Sequence, residues 1–234
     1  MKTPQTLGII GGTGPESTVD YYRALIATYR ARKPNGSQPL LIINSVDNQR
    51  LLAMVAARAF EELSRDLLGE IAKLEHAGAD FGLLAANTPH IVFDKIQPES
   101  PIPLISIVEA TCEAAKMAGF KRLGLIGTRF TMQADFYPKA FAKGGLTVVL
   151  PEAADQDYIH EKYMDELVRG IFLPETRAGL MEIAARLHET REIDALILGG
   201  TELPLILRGA ESASLPFLDT AKIHVDAAVS RLLA

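Results

Sequence analysis

Eight short apolar runs, separated by stretches whose apolar residues recur with helical period, constrain this chain more than any other feature. In the first half they are Leu7–Ile10, Leu40–Ile43, Phe81–Ala85 and Pro103–Ile107; in the second, Leu123–Ile126, Leu146–Leu150, Ala195–Leu198 and Leu215–Leu218. Most are continuously apolar rather than alternating, the pattern of strands covered on both faces in a parallel sheet. Phe60, Leu63, Leu67, Ile71 and Leu74 form the stripe of a helix expected over about residues 57 to 77. Leu180, Ile183, Ala184 and Leu187 mark another, entered at Pro174 and carrying His188 near its end. Such strand–helix alternation predicts a doubly wound α/β fold.

The halves echo each other. Ala86-Asn87-Thr88 and Gly199-Gly200-Thr201 each follow an apolar run, and Gly12-Thr13 and Gly127-Thr128 make a second such pair. The expectation is two pseudo-duplicated α/β lobes, each a mostly parallel four-stranded sheet flanked by helices, with a ligand cleft between them. Residues 1–102 with 209–234 are expected to form the first lobe and 103–208 the second. Gln97 to Pro103 is the expected crossover, and the apolar tail Ile223–Leu233 is expected to pack back onto the first lobe. Ligands of open α/β sheets bind beyond the carboxyl ends of the strands. All four Thr-bearing loops fall there.

Composition narrows the function classes. The 234 residues carry a net charge of −5, which gives no reason to expect a nucleic-acid partner, since phosphate binding needs a basic surface. No apolar stretch approaches the roughly 20 residues that cross a bilayer. Thr3-Pro4-Gln5 leads straight into a strand-like run instead of a signal peptide, so a cytoplasmic location and no membrane partner are expected. The single cysteine, Cys112, excludes an internal disulfide and a cysteine-based zinc site, and reads as a small buried hydrophobe inside a helix. His76, His160, His188 and His224 show no metal-ligand spacing. Gly36-Ser37 and Ser212-Ala213-Ser214 read as loops, and no Gly-x-Ser-x-Gly elbow is present.

The glycine-rich stretch Gly8-Ile9-Ile10-Gly11-Gly12-Thr13-Gly14-Pro15-Glu16-Ser17 admits several readings. As a dinucleotide fingerprint it is incomplete, because Ser17 holds the third glycine position and Glu16 would repel a pyrophosphate. Thr13 and Glu16 have capping-box spacing, with Pro15 suited to a first helical turn. Equally, a tight turn at a helix start offers free amides to a small carboxylate.

Taken with Leu83-Leu84-Ala85-Ala86-Asn87-Thr88-Pro89-His90 and Leu198-Gly199-Gly200-Thr201-Glu202-Leu203-Pro204, this stretch resembles the aspartate/glutamate racemase family over nearly the whole chain. The resemblance implies a cofactor-independent amino-acid racemase, a homodimer, acting on a small carboxylate or amino acid. In the family pattern a cysteine precedes each Asn-Thr or Thr-Glu pair, and the two thiols exchange a proton with the substrate α-carbon. Here those positions are Ala86 and Gly200. The resemblance further implies that Gly12, Thr13, Asn87, Thr88, Thr128 and Thr201 hold the α-carboxylate and that Glu202 supports the second loop. Arg50 lies where the family keeps an arginine for the substrate's distal carboxylate, and Arg169 falls near a second basic position.

Racemisation without cofactor needs acid/base groups on both faces of Cα. Ala86 and Gly200 carry none, and Cys112 lies elsewhere. His90, Asp47, Glu202 and Tyr137 are the remaining candidates. Three readings follow: a racemase-like isomerase with an altered proton-transfer apparatus, a non-catalytic carboxylate binder, and a nucleotide-dependent enzyme. The first is carried forward.

Overall fold

A computed structural model describes residues 4–210 and 215–234. The chain forms two compact units, Met1–Ile107 with Ala221–Ala234, and Val108–Thr220. In chain order the first contains β1 (Thr6–Gly11), α1 (Pro15–Arg32), β2 (Leu40–Ser45), α2 (Asn48–Ala56), α3 (Phe60–His76), β3 (Phe81–Leu84), α4 (Phe93–Glu99) and β4 (Leu104–Ile105). Then α5 (Ile107–Met117) leads into the second, with β5 (Arg122–Gly127), α6 (Arg129–Gln133), α7 (Phe136–Lys143), β6 (Thr147–Val149), α8 (Ala153–Asp165), α9 (Pro174–Arg191), β7 (Ala195–Gly199), α10 (Leu203–Leu207) and β8 (Phe217–Asp219). The last helix, α11 (Thr220–Leu232), returns the chain to the first unit.

Both sheets are parallel and share one topology, β2-β1-β3-β4 in the first unit and β6-β5-β7-β8 in the second. The central strands β1, β3, β5 and β7 are buried almost throughout, as their unbroken apolar runs require. The edge strand β2 departs from that rule, with Leu40 49% and Ile43 40% exposed, because only one neighbour and part of one face cover it. The helix expected over 57 to 77 is α3, which begins only after Arg58 takes a left-handed φ of 54°.

The unit boundaries differ from expectation. The first unit extends past 102 because β4 pairs with β3, setting Gly82 against Leu104. The second extends past 208 because β8 pairs with β7, setting Ile197 against Leu218. The crossings therefore fall at the starts of α5 and α11, and Gln97, Pro98 and Glu99 of the expected crossover belong to the end of α4. As expected, α11 packs on the first unit: Val225, Ala228 and Val229 join Leu7, Ile9, Phe81 and Leu83 in its core. The second core gathers Ile159, Tyr163, Leu180, Ile183, Leu196 and Leu198. The expected Ser212–Ser214 loop lies outside the described residues.

Candidate functional site

In the first unit the loops bearing Gly12 and Asn87 lie side by side because β1 and β3 are adjacent and register Ile10 with Leu84. Gly12 adopts φ +85°, and a Cβ there would stand 2.7 Å from the backbone nitrogen of Val46, so only glycine fits. Its N–H donates to Thr18 Oγ1 at 2.9 Å, and both Ser17 and Thr18 hydroxyls donate to the Gly14 carbonyl. The capping box does not form. Gly14 takes the N-cap position of α1, ahead of Pro15, and no side chain caps it. The Thr13 hydroxyl is thereby released from capping: its Oγ1 is buried and has no hydrogen-bond partner. A buried polar atom left unsatisfied needs a reason.

Beyond β3, Ala86 and Asn87 are buried, and Thr88 opens a 3-10 turn, Thr88–Val92. His90 is buried behind them. Its Nε2 accepts from the Ile107 N–H at 3.2 Å, so Nδ1 carries the proton and donates to the Ala86 carbonyl at 2.9 Å. Burial above all, then the neighbouring His224, pushes its pKa down to about 3. His90 is thus a neutral strut and not a general base. The structure also joins what the sequence scatters: His90 and His224 ring centroids are 6.4 Å apart, and the Tyr21 hydroxyl donates to His224 Nδ1 at 3.1 Å. His224 Nε2–H donates to the Ile105 carbonyl at 2.9 Å, and burial lowers its pKa to about 4.

The loop after β2 reaches the same sheet edge, since Val46 N–H donates to Gly11 O at 2.9 Å. Asp47 caps α2 by accepting from the Gln49 N–H. Arg50 pairs with Asp66, its side chain 61% exposed, beside a cavity of about 180 Å³ that Asn44, Ser45, Asp47, Glu70 and Lys73 also line. A ligand carboxylate at Arg50 therefore competes with Asp66.

In the second unit β5 and β7 are adjacent, registering Gly127 with Gly199, and this sets the loop bearing Thr128 beside the loop bearing Thr201. Thr128 caps α6: its Oγ1 accepts from the Thr131 N–H at 3.2 Å. Glu202 and Thr201 are buried, and Glu202 Oε2 accepts from the Tyr163 hydroxyl and from Thr201 Oγ1, the latter at 3.1 Å. Burial, then the Glu202 charge, raises the Tyr163 pKa well above the ordinary phenol value. A Cβ at Gly200 would stand 2.6 Å from the Tyr163 hydroxyl and 2.8 Å from its Cζ. The space beside Gly200, where the resemblance leads one to expect a second cysteine, is therefore filled by Tyr163 from α8.

Tyr163, which touches both Glu202 and Gly200, is the residue that sequence reasoning missed. It belongs to the apolar stripe Ile159, Tyr163, Leu167, and nothing in that spacing signals a neighbour some forty residues away. Tyr137 is fully buried and its pKa is raised by that burial, so it offers no base. Arg169 closes a 3-10 turn, Leu167–Arg169, with its side chain exposed. Cys112 is buried, as its helical placement implied. Among the described residues no cluster of metal-binding side chains occurs, and no helix is long and apolar enough to cross a membrane.

A family model for Asp/Glu/hydantoin racemases matches residues 10–228. The chain is 33% identical to an aspartate racemase homologue from Pyrococcus horikoshii, over 99% of this chain and 100% of that one, with a TM-score of 0.84. A candidate Asp/Glu racemase from Yersinia pestis is 30% identical over 98% of this chain and 100% of its own, with a TM-score of 0.88. The broad specificity amino-acid racemase RacX of Bacillus subtilis is 24% identical over 242 residues, 97% of this chain and 98% of RacX.

Proposed function

Because the chain belongs to the Asp/Glu/hydantoin racemase family, we propose that it binds an acidic amino acid or related small carboxylate, without cofactor, and isomerises it at Cα. The observation that carries this reading is the orphaned Thr13 hydroxyl at the foot of α1. A buried donor beside the positive end of an 18-residue helix suits a carboxylate oxygen. Gly12, Asn87 and Thr88 add backbone and hydroxyl donors at the strand ends of the first unit, and Thr128 and Thr201 offer hydroxyls at the corresponding strand ends of the second. Arg50, exchanging Asp66 for the ligand, is the cation for a distal carboxylate in the first unit, and Arg169 is the exposed candidate cation of the second. The protein acts as a homodimer in the cytoplasm.

A second reading has its own support. Ala86 and Gly200 leave no titratable side chain at either slot, which favours a carboxylate binder without turnover. One experiment separates the two. L- and D-aspartate and glutamate are incubated with the protein in deuterated water, Cα–H loss is followed by NMR, and thermal stabilisation is measured in parallel. Stabilisation with exchange above a protein-free blank is the expected result; stabilisation without exchange leaves a binder. A protein that shows neither stabilisation nor exchange has no carboxylate site, and that result overturns both readings.

A further inference from the structure

The loop beyond β7 places a buried carboxylate and a buried phenol in direct hydrogen bond, with the phenol lying against the one residue there that has no side chain. Resting on the carboxylate-isomerase reading above, we propose that Tyr163 and Glu202 form a one-sided proton relay for the substrate Cα–H. A Cβ at residue 200 would come closest to Cε2 of the Tyr163 ring and stand 2.6 Å from its phenolic oxygen, so the ring edge and hydroxyl fill the space that a side chain at residue 200 would enter. Residue 200 immediately follows the central strand β7, the place where ligands of parallel sheets bind. Thr201 Oγ1, 3.1 Å from Glu202 Oε2, holds the carboxylate toward the phenol. All three side chains are buried, Tyr163 with 5% and Thr201 with 6% of their surface left to solvent, which excludes competing water.

The step balances without a cofactor. The Cα proton passes to Tyr163 Oη while the phenolic proton passes to Glu202 Oε2, and the electron pair of the broken C–H bond remains on the substrate as an enolate. Tyr163 is neutral before and after, which suits a phenol whose ionisation burial and Glu202 both oppose. Reversal returns a proton to the same face. The relay therefore exchanges the proton of one enantiomer with retention of configuration, and inversion lags behind.

The test uses the intact protein, both enantiomers of aspartate and glutamate, and deuterated water. NMR reads deuterium incorporation, chiral chromatography reads inversion, and the thermal transition reads folding and ligand binding. In the wild type, exchange of one enantiomer should outrun inversion by at least about tenfold. Tyr163→Phe keeps the ring and Glu202→Gln keeps the shape; each should lower exchange by about 100-fold or more, the usual weight of a positioned acid/base group, while ligand-induced stabilisation persists. Exchange within about threefold of wild type in either folded variant, or inversion keeping pace with exchange in the wild type, overturns the relay and leaves the isomerase reading standing. A wild type that is stabilised by these ligands but never exchanges overturns the relay and the isomerase reading together, leaving the binder. A wild type neither stabilised nor exchanging overturns the carboxylate site from which the relay was inferred.

Discussion

The loops after β3 and β7 occupy the same position in two sheets of identical topology, yet they are held by opposite chemistry. After β3, a neutral imidazole ties the Ala86 carbonyl to the Ile107 amide, and every hydrogen in that strut is locked by a backbone partner. After β7, a carboxylate gathers two hydroxyls, Tyr163 and Thr201, whose hydrogens can move without breaking the backbone. Duplicated architecture thus preserves where a loop lies while leaving free what its side chains can do with a proton. The first loop is built for rigidity and the second for exchange.

The largest expected effect that sharpens this contrast is His90→Leu. Leucine keeps much of the volume but strands the Ala86 carbonyl and the Ile107 N–H in a buried place, each costing about 1–3 kcal/mol. Denaturant unfolding should show a loss of about 2–5 kcal/mol. A loss below about 1 kcal/mol would show that the strut is not what holds the first loop.

The same strut predicts a pH dependence. His90 and His224 are neutral in the folded chain, with pKa values lowered to about 3 and about 4. The unfolded chain takes up protons at each near its ordinary value of about 6.5. Their contribution is complete above about pH 6.5 and declines on acidification by about 1.4 kcal/mol per pH unit for each histidine, down to the folded values. Unfolding free energies between pH 6.5 and 4.5 should therefore fall more steeply in the wild type than in His90→Leu, by one proton's worth. Equal slopes would mean that His90 is charged in the native state.

The smallest effect belongs to the second loop. Gly200→Ala forces a methyl toward the Tyr163 ring and hydroxyl, and overpacking of this kind costs about 1–3 kcal/mol. Combining it with Tyr163→Leu, which removes the colliding hydroxyl and ring, should cost less than the sum of the two single changes. Strict additivity in that cycle would show that Gly200 and Tyr163 do not share the space. The collision also means that a thiol at residue 200 requires a smaller residue at 163.

Much of the fold was legible because its signals are local. Unbroken apolar runs marked the strands to within a few residues, and Pro174 announced the start of α9. The edge strand β2 was over-read, since apolar composition carries no record of how many neighbours cover a strand. Thr13 and Glu16 had the spacing of a capping box, but Gly14 directly before Pro15 moved the cap one residue on and left the Thr13 hydroxyl unpaired. His90 looked like a possible base, and only its burial against Ile107 and His224 makes it a neutral strut.

By itself the sequence determined two parallel sheets, the loops at their carboxyl ends, the missing thiols and the family, because each depends on residue type and short-range order. Tertiary structure alone decided which side chains meet across long separations: His90 with His224, Arg50 with Asp66, and Tyr163 with Gly200 and Glu202. The physical reason is that the acid/base behaviour of a residue follows from what buries it and what it touches. Those neighbours are chosen by the packing of whole elements, whose spacing along the chain bears no fixed relation to their distance in space.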